Sequence, residues 1–456
     1  MDRLRYRLFL IGYGLQRWLA RRLTPAGWLG LSCLMITAVA GSDTHQTLAY
    51  QVFAFLWMVM AIAFLYSFTF RGRFGIQRTL PPFASVGMAV SYRVVVRNYT
   101  SRFQRGLWLM EEIDTPLPHP SESPPIIDKS ASRNSLSRSI AYYRWLWNRV
   151  NRPLGRIRMV EIPPIPPKGQ VEVRLTLQPF QRGPLPLKGV TILRPGPFGL
   201  CYGYRRIALP EVVWILPPRY ALSAINLPGM RRYQSGGVAL ASAVGESDEF
   251  RSLRDYQPGD PLRKIHWKSW AKTGKPVVRE DQDEFFVRHA LILDTFLDTV
   301  LDTTQEDWAD ASLEAALSVA ASFACEVRTQ ESLLDLMFVG PEAYCFTVGR
   351  GVGHTEQMLR ILAAVEPCRD RPFNTLHPLI LERASILSGC ICVFLTWDQA
   401  RQDLVQTLRA LQLPTLVLVL TLDKAALVAA QPADPPIPHD VRVLELSQLQ
   451  EELMTL

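Results

Sequence analysis

Carboxylates at the ends of apolar runs are the residues of this chain best suited to chemistry. Asp294 ends the run Phe286–Asp294, Asp298 follows one helical turn later, and Asp398 comes just after Cys390–Thr396. Hard cations such as Mg²⁺ take oxygen ligands, with water completing an octahedral shell. Loops that meet at one sheet edge can supply those oxygens. Asp294, Asp298 and Asp398 are therefore the candidate metal site, and Mg²⁺ the candidate ion. Carboxylates also cap strand ends with no metal present, and that structural role is the commoner one. A second acidic group, Asp260, Glu280 and Asp281 with Lys264 and Lys268 nearby, has the composition of a metal-dependent hydrolase or nuclease site, but its spacing is generic. His266, between Ile265 and Trp267, has the side chain of a general base. A histidine flanked this way is more often packed and hydrogen-bonded. No Gly-x-Ser-x-Gly, P-loop or strand-borne Gly-x-Gly-x-x-Gly occurs, so nucleophilic catalysis has no support in the sequence.

The densest polar stretch is Gly245–Glu280. It reads as a strand over Glu249–Tyr256, a turn at Gln257-Pro258-Gly259, and a short helix. Asp260 can cap that helix and Pro261 suits its first position. Leu262, Ile265 and Ser269 would share one face, Lys264, Lys268 and Lys272 another, and Gly274 would end it. The acids Glu246, Asp248, Glu249, Asp255 and Asp260 offset many of its bases. The stretch is thus expected to act as a structural clasp, with Arg251, Arg254, Asp260, His266 and Trp267 in a buried polar network.

The elements that would position these residues follow from composition and period. The chain has 456 residues, 48% hydrophobic and 20% charged, which suggests about two to four domains. Its net charge of +8 is uneven. Arg3, Arg5, Arg7, Arg17, Arg21 and Arg22 crowd the start, and Arg71, Arg73 and Arg78 follow the second apolar run, a placement that suits an anionic membrane surface rather than a nucleic acid. Seven cysteines with no CxxC pair argue against a disulfide framework or zinc site and for a reducing compartment. Cys390 and Cys392 read as thiols on one face of a buried strand. Residues 1–77 are expected to form a basic, interfacial lead-in and a transmembrane hairpin, with spans at about 24–42 and 49–70. The loop between them lacks Lys and Arg, which puts both ends of the hairpin in the cytoplasm.

From 78 to 220 the period becomes two. Strands are expected at 88–96, Leu107–Ile113, Val171–Leu177, Leu187–Leu193 and Val212–Leu216, making an antiparallel β-sandwich. A Ser- and Pro-rich loop insertion, 115–158, interrupts it, and its aromatic part Ile140–Val150 reads as a helix packed on the sandwich. Residues 221–284 hold a connector and the clasp. From 285 to 456 strands and helices alternate, as in a doubly wound α/β sheet, whose ligands sit at the carboxyl ends of the strands.

The run Glu249-Phe250-Arg251-x-Leu253-Arg254-x-Tyr256-x-Pro258-Gly259-Asp260-Pro261-x-Arg263-x-Ile265-His266-Trp267, then Ala271-Lys272-Thr273-Gly274, resembles the signature of bacterial proteins with the domain of unknown function 58. Pro197-Phe198-Gly199-Leu200 resembles a second element of that family. The resemblance implies a membrane hairpin, a β domain, the signature and a von Willebrand factor A-like domain. It also implies a protein-interaction or adaptor role beside a MoxR-type AAA+ ATPase, with no enzymatic reaction. Domains of this type often carry a metal site of the form Asp-x-Ser-x-Ser, a Thr and a second Asp. Here Phe296 and Asp298 stand where the two serines would be, Asp398 matches the last Asp, and Thr355 is the nearest counterpart of the Thr. The expected protein is a membrane-anchored cytoplasmic adaptor; the alternative is a metal-dependent hydrolase or nuclease.

Overall fold

In a computed structural model of the chain, the described residues are 2–40, 47–115, 142–144, 146–148, 150–222, 250–260, 262, 265–281, 288–297, 303–329, 333–340, 342–348, 352–422, 424, 438 and 440–455. They form a mixed α/β, multidomain protein with several separate sheets. Two compact units divide it, Met1–Pro218 and Arg219–Leu456.

The first unit opens with three helices, α1 (Asp2–Arg22), α2 (Pro25–Ala40) and α3 (Thr47–Ser67). Within α3, Leu48–Ser67 is long and apolar enough to cross a membrane, with a mean hydropathy of 2.1, and almost none of it is buried. α2 is apolar but has 16 residues. At 1.5 Å per residue it covers about 24 Å, against ~30 Å of hydrocarbon. The two helices pack together. Residues 41–46, the expected external loop, lie outside the described residues.

Nine strands follow: β1 (Phe74–Thr79), β2 (Phe83–Ser85), β3 (Val90–Asn98), β4 (Leu107–Ile113), β5 (Gly155–Ile157), β6 (Val160–Ile162), β7 (Gln170–Pro179), β8 (Gly183–Pro195) and β9 (Tyr202–Leu216). They make a four-stranded sheet, β1-β3-β7-β5, and a five-stranded sheet, β2-β9-β8-β4-β6. All pairs are antiparallel except β2 with β9. Val94, Val96 and Leu175 from one sheet and Leu109, Ile192 and Ile215 from the other close a single core. Truncating Leu109, Leu175, Ile192 or Ile215 to alanine costs about 2–5 kcal/mol. The β region begins at Phe74, earlier than the expected 78, because Arg73 and Arg78 make β1 read as a basic flank while Phe74 is buried in the core.

One buried polar group crosses this core. The Arg78 and Tyr92 side chains both donate to the Glu111 carboxylate, and Arg78 also donates to Leu209 O at 2.8 Å. Burial pushes the Tyr92 phenol well above its ordinary range, so it stays a donor.

The helices are tied to the sandwich at a dense junction. Thr24 caps α2, accepting the Gly27 N–H at 2.9 Å, and its hydroxyl donates to Gly199 O at 2.5 Å. The Thr24 N–H donates to Leu200 O at 3.1 Å. A Cβ on Gly27 would stand 2.1 Å from that same oxygen, so only glycine allows the approach. The Pro197–Leu200 element therefore docks a helix start onto the β8–β9 hairpin. The described residues of 142–151 are helical, but Leu146 and Val150 are buried against Phe9 of α1, not against the sandwich as expected. Apolar side chains on α1 leave a stripe that this aromatic segment covers.

The second unit holds a two-stranded hairpin, β10 (Phe250–Asp255) and β11 (Val277–Asp281), with α4 (Trp267–Thr273) between its strands. It then alternates: β12 (Arg288–Leu293), α5 (Thr303–Thr329), β13 (Leu333–Val339), β14 (Ala343–Val348), α6 (Val352–Ala364), α7 (Leu376–Leu381), β15 (Gly389–Phe394), α8 (Gln399–Ala410), β16 (Thr415–Thr421), β17 (Val441–Glu445) and α9 (Leu449–Met454). The six-stranded sheet has the order β14-β13-β12-β15-β16-β17. Every pairing is parallel except β13 with the edge strand β14. Buried on both faces, β15 and the Ala290–Leu293 part of β12 are continuous apolar runs, as suits central parallel strands. Cys390 and Cys392 are both fully buried on β15.

Candidate functional site

Two places gather the residues singled out in the sequence. The first is the signature hairpin. β10 and β11 pair antiparallel, Leu253 opposite Arg279 and Asp255 opposite Val277. Gly259 turns the chain at φ 110°, a conformation that only glycine adopts cheaply. Asp260 is not the cap of α4. Its carboxylate accepts a two-pronged donation from Arg254, at 2.7 and 2.8 Å, and the Gln257 N–H at 2.9 Å. The Arg254 hydrogen bonds, with the Gln257 N–H, hold the Asp260 carboxyl below its ordinary value.

The helix is shorter than the sequence suggests, beginning at Trp267 rather than after Asp260. His266 is its cap. Its Nδ1 accepts the Ser269 N–H at 3.3 Å and lies 2.7 Å from the Ser269 hydroxyl. Gly274 ends the helix in the left-handed conformation, as expected. Ile265 does not share a helical face with Leu262. It bridges to Val278 and is buried, while Leu262 is exposed. Trp267 stacks on Trp270 with ring centroids 5.2 Å apart and is 63% exposed, which overturns its expected place in a buried network. Phe250 and Arg251 lie on β10, Tyr256 joins its end to Pro276 O at 3.0 Å, and Pro258 precedes the glycine in the turn. Glu249, Pro261, Arg263 and Lys264 lie outside the described residues.

The second place is the sheet edge where β12 and β15 end side by side. The chain leaves these neighbours in opposite directions, β12 toward β13 and β15 toward β16, and such a reversal opens a crevice at the strand ends. Asp294, fully buried, stands there. Its Oδ1 accepts the Phe296 N–H at 3.1 Å and Arg401 Nη2 at 3.1 Å. Its Oδ2 accepts the Leu395 N–H at 3.0 Å and Arg401 Nε at 2.9 Å. Asp398 caps α8 by accepting the Arg401 N–H at 3.0 Å, and its other oxygen accepts Arg401 Nη1. The guanidinium lies 4.4 Å from the Phe373 ring centroid, a cation–π contact.

Arg401 thus brings Asp294 and Asp398 together, while Asp298 lies outside the described residues. Thr355 is buried on α6. The four acceptor positions of the Asp294 carboxylate are all engaged, so Asp294 as it stands has no position left for Mg²⁺. A guanidinium occupies the cation's place. Burial raises the Asp294 carboxyl, while the Arg401 charge and the N–H groups favour its ionised form. Burial also works against the Arg401 charge, but Asp294 and Asp398 more than offset it and hold the guanidinium above its ordinary range. Among the described residues no three His, Cys, Asp or Glu side chains converge as metal ligands.

Sequence reasoning missed Arg401 and Phe373. The only local sign of Arg401 was a basic residue three positions after Asp398; its bond to Asp294 spans 107 residues.

Residues 252–433 match the model of the family described as Protein of unknown function DUF58. The matched stretch takes in the signature hairpin from its third residue onward and the Arg401 fork, and it supports the family resemblance read from the signature residues. No curated protein matches the chain.

Proposed function

We propose that this protein is a membrane-anchored adaptor that binds a protein partner through its signature hairpin, the partner being a MoxR-type AAA+ ATPase. The observation that carries the reading is the hairpin's apolar display: Trp267 and Leu262 are 63% and 68% exposed on an element otherwise fixed by its own caps and ladder. Trp267 also stacks on Trp270, and an exposed aromatic pair of this kind suits an interaction site. At the sheet edge the Asp294 carboxylate is already held by Arg401.

We read the six-stranded sheet as von Willebrand factor A-like. Taking its strands in chain order, the third, second and first lie on one side of the fourth, fifth and sixth, with the third antiparallel. We read α2 and α3 as a membrane hairpin with both soluble units on the cytoplasmic side. The apolar span Leu48–Ser67 and the arginines Arg71 and Arg73 after it support this.

Binding of the purified full-length protein, in mild detergent, to a purified MoxR-type ATPase tests the adaptor role. Binding lost on replacing Trp267 and Leu262 with serine is the expected result. Absence of binding by the wild-type protein, with and without nucleotide, would overturn the reading. An activity reporter fused after Leu456 tests orientation, and a reporter active only on the far side of the membrane would overturn the hairpin.

A further inference from the structure

In the first unit, a pocket of about 410 Å³ opens beside the end of α3. Tyr66, in the last turn of that helix, forms part of its wall, with Thr69 and Arg71 just beyond. Ser101 and Arg102 enter from the loop after β3, and Arg194 from the end of β8. Among the described residues no carboxylate lines it. Arg71, Arg102 and Arg194 are exposed, and among the described residues none of them forms an ion pair.

The loop that carries Arg102 is fixed in advance. Asn98 is fully buried at the end of β3. Its Nδ2 donates to Arg102 O at 2.9 Å and Pro166 O at 3.2 Å, and its Oδ1 accepts the Thr100 N–H at 2.9 Å and the Thr100 hydroxyl at 2.7 Å. Every hydrogen-bonding position of that amide is used to shape the loop. Arg194 is likewise held, because the turn after it closes through Gly196 N–H to Cys201 O at 2.8 Å.

Three unpaired guanidinium groups around one pocket repel one another unless an anion joins them. The bias toward positive charge beside a membrane span accounts for Arg71 alone. Arg102 and Arg194 come from the sandwich, and only the fold brings them to the same place. Guanidinium forks match phosphate oxygens, and the hydroxyls of Thr69 and Ser101 add donors. The pocket also lies at the depth of lipid headgroups if α3 spans the bilayer, with the aromatic ring of Tyr66 at the boundary.

We propose that this pocket binds a phosphate group, presented by an anionic lipid headgroup. The phosphate site stands on the arginines; its lipid source rests on the membrane reading of α3. The test uses the full chain in neutral detergent, with short-chain phosphatidic acid, short-chain phosphatidylcholine, inorganic phosphate and glycerol phosphate as probes. Saturable binding of phosphatidic acid is expected, weakened about tenfold by Arg102→Gln and again by Arg194→Gln. Thermal unfolding without ligand should be unchanged in both variants, since both side chains are exposed. Equal binding of inorganic phosphate, with the same arginine dependence, would support the site and assign it a soluble phosphate instead. Binding that survives both replacements, or no binding of any phosphate probe, would overturn the proposal. Alkaline extraction of membranes checks the separate premise. Release of the wild-type chain would overturn the span and leave the soluble phosphate result standing.

Discussion

The Arg254–Asp260 fork of the hairpin and the Arg401–Asp294 fork of the sheet edge use one chemistry in opposite settings. The first joins residues six positions apart, and the Arg254 side chain is still 36% exposed. The second joins residues 107 apart and is almost sealed from solvent. A partly exposed fork is worth little, because water competes for both ions. A buried one cannot lose a partner without stranding the other charge. The Arg78–Glu111 pair of the sandwich resembles the second case in burial, although its partners are only 33 residues apart. Burial, not distance along the chain, should therefore set the cost of breaking a fork.

The largest expected effect is at the sheet edge. Arg401→Met leaves Asp294 buried without a cation and should cost about 3–5 kcal/mol in denaturant unfolding. Adding Asp294→Leu should recover most of that loss, as the stranded charge is then gone. A loss under about 1 kcal/mol for the single variant would show that the fork does not lock the strand ends. Arg78→Met should fall in the same range of about 3–5 kcal/mol. A much smaller value would break the link between burial and cost.

Asp260→Asn should act locally and more weakly than either. Hydrogen exchange should quicken at the Gln257 amide while the protection of β12 and β15 stays as it was. The hairpin fork also has an acid limit. The folded Asp260 carboxyl is held below its ordinary value of 3.8 by Arg254 and the Gln257 N–H. A depressed folded value means that its contribution is complete above the ordinary range and is lost as pH falls through the depressed value. The protection factor of the Gln257 amide, which removes the intrinsic pH dependence of exchange, should therefore be steady near neutrality and fall only below about pH 3.8, and a fall near pH 6 would assign it to another group. The smallest expected effect is at Cys390 and Cys392. Burial pushes the Cys390 thiol up to about 12 and the Cys392 thiol well above its ordinary range. Both should stay unlabelled by an alkylating reagent under native conditions and react once the protein is unfolded, read by mass spectrometry.

Legibility followed the range of the interactions. Leu107–Ile113 and Leu333–Val339 are strands with the bounds that their apolar patterns suggest, because strand period is a local property. Gly274 was legible as a helix end for the same reason. The helix start was not. Asp260 had the right type for a cap, but α4 starts later and His266 caps it through Ser269, while the Asp260 carboxylate holds Arg254. Short strands such as β5 and β6 were missed because three residues carry too little pattern; their partners β7 and β4 define them. At the candidate metal site, Asp294 and Asp398 were correctly placed at one sheet edge, yet what joins them was invisible.

By itself the sequence determined the apolar span, the change from period two to alternating helices and strands, and the signature of residues 249–274, which the family match over 252–433 supports. Each of these is written in residues close together in the chain. Only the tertiary structure decided that an arginine from α8 occupies the cation's place beside Asp294, and that three arginines from distant segments share a pocket beneath α3. Both arrangements depend on strand order and loop register, and those are set by the packing of whole sheets rather than by any one segment.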